Sequence, residues 1–445
     1  MHSKNNFNTI ISDRKKLVLP SFLPLFIPIL WFVLQNSKGV LFWKETIDLS
    51  LQNQFQLEGS PADRMILIML IILSSLILYI RRGRLLELIR QNSWIFIFFT
   101  YMLISIMWTE YPFIAIKRWI RALGTIMIFC IIFTENNPLK KTIDILKLAC
   151  FIVLPLSLFY VLFVPSIGQT VSADDGAVYW SGITNHKNML GQWATLGVLI
   201  SCWQLLTGNK NKVTGSVNII MLIMSLVLLV GSKSTTSIFI TFIGLSVFLI
   251  FYIIKYIGRS GYLSVPVFLI TGLLFVLMFQ QLFLDKPVIA SILKMAGKDI
   301  TFTGRSGLWD YALDVGSQKI VFGHGYATFW ISKWGDDIRS VLGWDMYTSH
   351  NGFIDVFLQF GIIGTFLNIV FILIVIRAII NVYHYNFQYG ILWISFFFVT
   401  LISNFTESNF GILTHEYWYL SILISFTVPI KLLKTDEDKY NCNRI

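Results

Sequence analysis

The chain contains few charged residues for its size. Asp, Glu, Lys and Arg make up only 13% of its 445 residues, whereas 55% are hydrophobic and 16% are aromatic. Soluble domains carry about 25% charged residues. The composition therefore excludes an ordinary soluble protein and predicts a polytopic membrane protein, in which each apolar helix needs about 20 residues to cross the hydrocarbon layer.

Several functional classes are excluded because their motifs are missing. The sequence has no G-x-x-x-x-G-K-[ST] loop for nucleotide phosphates, and the Gly-His-Gly run at 323–325 lacks the third glycine of a dinucleotide fingerprint. None of the six histidines is paired at i,i+4, and no cysteine falls in a predicted outward loop, so neither a zinc site nor a disulfide framework is expected. No basic segment interleaved with aromatic residues favours nucleic-acid binding.

Long apolar runs predict an all-α bundle of about twelve transmembrane helices. We expect one integral membrane domain over residues 1–445, without an internal repeat of the kind found in inverted-repeat transporters. The predicted spans lie near 17–35, 65–80, 93–108, 114–133, 143–164, 189–206, 217–230, 235–252, 262–281, 352–376, 391–404 and 418–433.

The distribution of charge predicts the orientation of the bundle. With both termini in the cytoplasm, most of the 35 Lys and Arg residues fall inside and most of the 24 Asp and Glu residues fall outside. This agrees with the positive-inside rule, and the reverse orientation would violate it. The long polar stretch 282–349 then faces outward. We expect it to form a small helical cap, because apolar residues recur at helical spacing in 288–295 and 306–315.

Basic side chains nevertheless cluster at the predicted outer face. Lys117 and Arg118 begin the fourth span, His186 and Lys187 precede the sixth, and other basic residues follow the seventh span and occupy the long loop. Arginine and lysine in such places suit phosphate groups. The alternative is structural: lysines and arginines at span ends extend to the headgroups, and tryptophans form an interfacial belt.

Six ordered blocks give the chain a family resemblance. They are the W…KR of 108–118, GITNHKNMLG at 182–191, SKSTT at 232–236, TGRSGLW at 303–309, FGHGY at 322–326, and SHNGF at 349–353 followed by GIIG at 361–364. In this order the blocks resemble the bacterial O-antigen ligase and Wzy-type polymerase superfamily, most closely its exopolysaccharide-polymerase (ExoQ-like) branch. The resemblance implies a GT-C-like bundle with one large periplasmic loop in the bacterial inner membrane.

The resemblance also implies a function and a set of site residues. The family's essential histidine falls on His350 and its loop arginine on Arg305, so both are expected to be catalytic, with His350 as general base. The ligases usually carry arginine where this chain has Lys233. The expected binding residues for pyrophosphate and glycan are Arg118, Lys117, Lys187, Lys233, His186, Asn351 and Trp309. For His350 the structural alternative is a loop residue that caps the tenth span.

The resemblance predicts a metal-independent, cofactor-free membrane glycosyltransferase. Its expected substrates are glycans linked to undecaprenyl pyrophosphate, both as donor and as acceptor, and a flippase and a chain-length regulator are potential partners. Polymerisation of repeat units is the preferred hypothesis, because lysine at 233 departs from the ligase pattern. Two alternatives stay open: an O-antigen ligase that transfers glycan to lipid A–core, and a flippase or transporter of lipid-linked sugars.

Overall fold

The structure is a computed structural model that describes residues 22–38, 61–171, 176–208, 211–257, 305–343 and 347–408. The described residues are mostly helical. The helices are α1 (Leu23–Gln35), α2 (Pro61–Ile80), α3 (Arg82–Gln91), α4 (Ser93–Ser105), α5 (Pro112–Phe133), α6 (Pro138–Phe163), α7 (Pro165–Gly168), α8 (Lys187–Thr207), α9 (Lys212–Gly231), α10 (Thr235–Ile257), α11 (Arg305–Ser317), α12 (Lys333–Leu342), α13 (Gly352–Tyr385) and α14 (Phe387–Ser403).

A short β-hairpin and two 3₁₀ turns interrupt this helical pattern. Strands β1 (Gln169–Val171) and β2 (Val178–Trp180) form an antiparallel hairpin between α7 and α8, with Thr170 opposite Tyr179. Single 3₁₀ turns cover Ile106–Trp108 after α4 and Phe329–Ile331 before α12. The sequence analysis predicted neither the hairpin nor the turns.

Six helices of the described residues are long and apolar enough to cross a membrane. They are α2, α6, α8, α9, α10 and α13, and a seventh span results if the bent pair of α3 with α4 and its 3₁₀ turn is counted as one. Helices α1, α5 and α14 also coincide with predicted spans, although α1 and α14 are shorter. The predicted spans 262–281 and 418–433 lie outside the described residues. The chain is therefore a multi-pass, all-α membrane protein.

The bundle has two chemically different ends. At one end, Arg81 forms an ion pair of 2.6 Å with Glu135, and Arg84 donates a hydrogen bond of 2.8 Å to the carbonyl of Thr134 after α5. These contacts place cations at the carbonyl-rich C-terminus of a helix, where they are favourable. The other end, which we call the site end, carries the hairpin, the turn between α9 and α10, α11, α12 and the residues that follow α14.

A small apolar cluster holds α11 and α12 against the bundle. Leu308, Ala312 and Val315 on one face of α11 are buried together with Phe329 and Ile338. This confirms the helix that apolar spacing predicted for 306–315. The second predicted cap segment, 288–295, lies outside the described residues.

Helix α13 is broken at Gly361, which has φ 63° and ψ −156°. The segment 320–325 supplies hydrogen bonds to the broken backbone. The N–H groups of Ile362 and Ile363 donate to the carbonyls of Ile320 and Val321, at 2.8 and 3.3 Å. The N–H groups at 324 and 325 donate to the carbonyls at 358 and 359, each at 2.9 Å. These bonds satisfy backbone groups that the break would otherwise leave without partners.

Candidate functional site

His350 lies in a strained turn immediately before α13. Its φ is 53°, in the left-handed region that residues with a side chain rarely occupy. The turn is held on both sides: Ser349 N–H donates to Asp355 Oδ1 at 3.2 Å, and Trp309 Nε1 donates to the Ser349 carbonyl at 2.9 Å. Strain of this kind persists only where the surroundings enforce it and is concentrated at functional sites.

Asn351, not His350, caps helix α13. The Asn351 side-chain oxygen accepts hydrogen bonds from the N–H groups of Phe353 and Ile354, at 3.0 and 3.4 Å, and the residue is buried. The capping alternative considered for His350 is therefore wrong. The geometry gives Asn351 a structural task next to His350, and its direct contact with substrate stays a prediction.

A carboxylate that the sequence analysis did not single out faces His350. Glu407, after α14, places Oε2 3.6 Å from His350 Nδ1, and its side chain is only 13% exposed. Glu407 Oε1 accepts a hydrogen bond of 2.6 Å from Asn188 Nδ2. The distance to His350 is longer than a hydrogen bond but short enough for the carboxylate to stabilise a protonated imidazole. The arrangement resembles a base supported by a third group.

The N-terminus of α8 lies beside this pair. Asn188 connects Glu407 to α10, because its Oδ1 accepts a 2.9 Å hydrogen bond from Ser234 Oγ. His186 caps α8 by accepting the Asn188 N–H on Nδ1 at 3.3 Å. Burial against its neighbours lowers the pKa of His186; Glu407 opposes this shift, while Lys187 and His350 add to it. Four charged or titratable groups are thus within electrostatic reach of one another.

Lys187 and Lys233 meet at one aromatic ring. The Lys187 ammonium lies 3.6 Å from the centre of the Tyr179 ring, and the Lys233 ammonium lies 5.9 Å from it. Lys233 occupies the tight turn between α9 and α10 with φ 50°, a second left-handed residue that carries a side chain. These two lysines, predicted to bind phosphate from separate blocks of sequence, are neighbours in the structure. Tyr179 was not predicted, since nothing in its spacing connects it to either lysine.

Arg118 is positioned by the segment that docks onto the broken helix. Its guanidinium donates to the carbonyl of Ala327, and the Ala327 N–H donates to Gln359 Oε1 at 2.8 Å. Ala327 has φ 55°, so this contact too involves a left-handed residue. Lys117, the next residue on α5, is exposed. Arg118 therefore belongs to the neighbourhood of the break in α13, and a role in binding substrate stays a prediction for both.

Trp309 and Arg305 belong to α11. The Trp309 ring is 9% exposed within the apolar cluster, and its contact with the Ser349 carbonyl makes it a support for His350. This geometry gives Trp309 a positioning task, and its direct contact with glycan stays a prediction. Arg305 begins the same helix, one turn before Trp309. Its helix is thereby connected to the turn of His350, although the side chain of Arg305 is not among those described.

The described residues contain no group of three or more His, Cys, Asp or Glu side chains arranged to hold a metal ion. Among the described residues, the site end brings together two histidines, His350 and His186, the carboxylate of Glu407 and the two lysines at Tyr179. Arg118 lies around the break in α13.

Residues 220–369 match the family model described as O-antigen ligase. The match confirms the resemblance to the O-antigen ligase and Wzy-type polymerase superfamily. It includes Lys233, Arg305, Trp309, His350 and Asn351, whereas the partners His186, Lys187, Tyr179 and Glu407 lie outside it. No curated protein matches the chain. Membrane enzymes that ligate or polymerise lipid-linked glycans are accordingly the functional class that the comparison supports.

Proposed function

We propose that the protein polymerises oligosaccharide repeat units linked to undecaprenyl pyrophosphate, by inverting and metal-independent glycosyl transfer. The observation that carries the proposal is the pair His350 and Glu407, which lies beside the Asn188–Lys187 end of α8. A base with a supporting carboxylate suits activation of a sugar hydroxyl, and nearby lysines suit a pyrophosphate leaving group. No single block of the sequence contains all of these groups.

In the proposed step, His350 acts as general base. Because Nδ1 faces Glu407, the opposite nitrogen, Nε2, is the one that takes the proton from the acceptor hydroxyl. The acceptor oxygen then bonds to the anomeric carbon of the donor as the bond from that carbon to the pyrophosphate oxygen breaks. The electron pair leaves with the pyrophosphate, and attack from the opposite face inverts the configuration. Glu407 stabilises the imidazolium that forms.

Cations stabilise the charge that develops on the leaving pyrophosphate. Lys187 and Lys233 are proposed as the principal contacts, with Arg305 and Arg118 as further ones. Fixed charges of this kind act strongly because they are in place before the reaction begins. A pyrophosphate is already a good leaving group, so the step requires no second carboxylic acid of the glycosidase type.

The proposed location is the periplasmic face of the bacterial inner membrane, with both termini in the cytoplasm. The support is the contrast between the two ends of the bundle. Arg81 and Arg84 lie at the end opposite the site end, together with Lys140, Lys141 and Lys212 at the starts of α6 and α9. An excess of Lys and Arg marks the cytoplasmic side. The same rule places the stretch 282–349 in the periplasm.

Two other functions have specific observations in their favour. The matching family model is described as O-antigen ligase, which favours transfer of glycan to lipid A–core; against it, lysine replaces the usual arginine at 233. The broken helix α13 resembles the discontinuous spans of transporters. However, the break is filled by hydrogen bonds from residues 320–325, and the His350–Glu407 pair lies at one end of the bundle. Both observations fit a fixed reaction site better than a transport path.

Purified protein in detergent tests the proposal. Lipid-linked repeat units alone should be converted to longer lipid-linked glycan in the presence of EDTA and without ATP. His350→Ala should abolish this conversion, and His384→Ala, an exposed histidine at the opposite end of the bundle, should retain it. Transfer only to added lipid A–core would identify a ligase. Movement of lipid-linked sugar across vesicle membranes, with no product in detergent, would identify a transporter.

A further inference from the structure

Tyr179 brings two cations together, the ammonium groups of Lys187 and Lys233. The Lys187 and Lys233 ammonium groups lie 3.6 and 5.9 Å from the centre of its ring, so both are close to the same aromatic face or edge. Among the residues that the structure describes, neither lysine forms an ion pair. Two like charges held this close repel each other. The face of an aromatic ring attracts cations and reduces that cost.

The hairpin that carries Tyr179 is firmly seated on the bundle. Trp180 packs against the end of α9 so closely that a Cβ on Gly231 would lie 1.9 Å from its ring. The N–H groups of Ser181 and Gly182 donate to the Gly168 carbonyl at 2.9 and 2.8 Å. The ring of Tyr179 is thus presented by a fixed support.

Lys38, after α1, fixes the base of the same hairpin. Its ammonium donates to the carbonyl of Ile167 and, at 3.3 Å, to Ser181 Oγ, while its N–H donates to the Ile183 carbonyl at 2.7 Å. Burial lowers the pKa of Lys38 to about 8. A lysine so enclosed serves the fold and is not available to substrate. The exposed lysines at Tyr179 are different, because solvent reaches Lys233 freely and Lys187 in part.

The backbone at Lys233 indicates that the position of its ammonium matters. A left-handed residue with a side chain costs on the order of 1 kcal/mol or more relative to glycine, and Lys233 adopts this conformation with φ 50°. A turn with no need of the side chain would be more stable with glycine. The strain is explained if the turn must carry a side chain whose ammonium reaches the ring of Tyr179.

We propose that Tyr179 is a positioning residue that holds Lys187 and Lys233 as a pair for one diphosphate group. This inference rests on the proposed function, since the diphosphate is the pyrophosphate of the lipid-linked donor. The ring keeps both ammonium groups near each other before the ligand arrives, and the ligand's negative charge then removes their repulsion. The hydroxyl of Tyr179 has no part in this role, so phenylalanine should replace tyrosine.

Binding and kinetics of three variants test the inference. Tyr179→Leu removes the aromatic face, and Tyr179→Phe keeps it. Tyr79→Leu is the matched control, because the Arg82 guanidinium lies 5.6 Å from the centre of the Tyr79 ring in a cation–π contact. This contact lies far from the site end. The probe is undecaprenyl pyrophosphate in detergent, with undecaprenol as the uncharged reference. Tyr179→Leu should weaken pyrophosphate binding about tenfold and leave undecaprenol binding unchanged. Tyr179→Phe should stay within about twofold of the unaltered protein.

The kinetic readout separates positioning from a structural role. Tyr179→Leu should raise the KM for the donor and also lower kcat, because the two lysines stabilise the leaving pyrophosphate as well as binding it, whereas Tyr179→Phe should change neither. An equal fall of kcat in Tyr179→Leu and Tyr179→Phe, or unchanged pyrophosphate binding in Tyr179→Leu, overturns the inference. Failure of the proposed function gives a different result: the unaltered protein binds undecaprenyl pyrophosphate in a manner dependent on Tyr179 but makes no glycan.

Discussion

Two regions of the molecule contain left-handed backbone, and they differ in which residues adopt it. Around the break in α13, the residues with positive φ include Gly323, Gly325 and Gly361. A Cβ on any of the three would lie within 2.4 to 2.8 Å of another atom, so only glycine fits. At the site end, the glycines Gly182 and Gly343 also have positive φ, but so do Lys233 and His350, which carry side chains. Glycine serves where the chain must only turn, whereas strain is retained where a side chain is required.

Ala327 lies between these two cases. Its φ is 55°, and both of its backbone groups are used, the N–H toward Gln359 and the carbonyl toward Arg118. Here the strain is imposed by hydrogen bonds and not by the need for a large side chain. The comparison thus predicts opposite effects of substitution. Glycine should be tolerated by the fold at 233 and 350 but should impair function, and alanine should damage the fold at the glycine positions.

The largest expected effect follows from His350→Gly. Removal of the base should reduce the rate of glycan formation by about 10²–10⁴-fold. The melting temperature in detergent should stay the same or rise, because glycine relieves the left-handed strain, which is on the order of 1 kcal/mol. His350→Asn is the control, since asparagine also tolerates this conformation. A stable and active His350→Gly protein would remove His350 from the mechanism.

The next effect concerns the fold alone. Gly361→Ala places a Cβ 2.4 Å from the Val321 carbonyl oxygen at φ 63°, so backbone must move. The strain alone should lower the free energy of unfolding by about 1–3 kcal/mol. Thermal melting in detergent measures this loss. Gly83→Ala, where no atom lies within 4 Å of the added Cβ, is the matched control and should melt like the unaltered protein. Equal melting of both variants would contradict the account of the break.

A smaller effect is expected from Lys233→Gly. Loss of the ammonium should weaken donor binding about tenfold, the equivalent of about 1.4 kcal/mol. The free energy of unfolding should not fall, because the turn becomes less strained. Donor KM and melting temperature are to be measured together, with Lys233→Asn as the uncharged variant that also tolerates positive φ. If Lys233→Gly lost stability and kept its KM, the strain at 233 would serve the turn and not the ligand.

The smallest effect is the pH dependence of stability that two histidines cause, one from each region. Burial lowers the pKa of His324, next to the break, to about 4, and burial lowers the pKa of His186 at the site end. Unfolding frees both to bind protons near pH 6.5. Their neutral forms therefore contribute full stability above about pH 6.5, and this contribution declines as the pH falls toward the folded pKa values.

His186→Asn isolates the contribution of the site end. Asparagine can cap α8 without titrating, so this variant should lose slightly less stability than the unaltered protein between about pH 6.5 and pH 4. The larger part of the loss should persist, because His324 still titrates. Melting curves across this range are the measurement. An acid sensitivity that disappears entirely in His186→Asn would show that His324 does not contribute.

The helices could be predicted because apolar runs directly reflect the requirement of burial in lipid. The break at Gly361 could not be predicted, since it falls within the predicted span 352–376. Only the hydrogen bonds between residues 320–325 and α13 show why the helix is interrupted there. The hairpin escaped prediction for a related reason. Its strands are three residues long, too short for an alternating pattern to be recognised.

The candidate site could be predicted only in part. His186, Lys187, Lys233 and His350 stand out as basic residues in outward segments, and the structure places each near another. Glu407 and Tyr179 did not stand out, because a single carboxylate or aromatic residue after a span has many ordinary explanations. For Trp309, the sequence predicted a binding residue but not its hydrogen bond to the Ser349 carbonyl, because neither burial nor a long-range contact is visible in the sequence.

The contact between segment 320–325 and α13 has a consequence for how this protein can be altered. Four of its hydrogen bonds join main chain to main chain, so they do not depend on the identity of the side chains. The side chains of Ile320, Val321 and Phe322 are 47%, 46% and 54% exposed. Ile320 and Val321 are therefore open to diversification, in evolution or in a designed library, provided that the glycines at 323, 325 and 361 are kept. Phe322 is more constrained, because its ring packs edge-on against Trp108 with the ring centres 5.8 Å apart. The main chain carries the joint, and two of its three apolar side chains are free to vary.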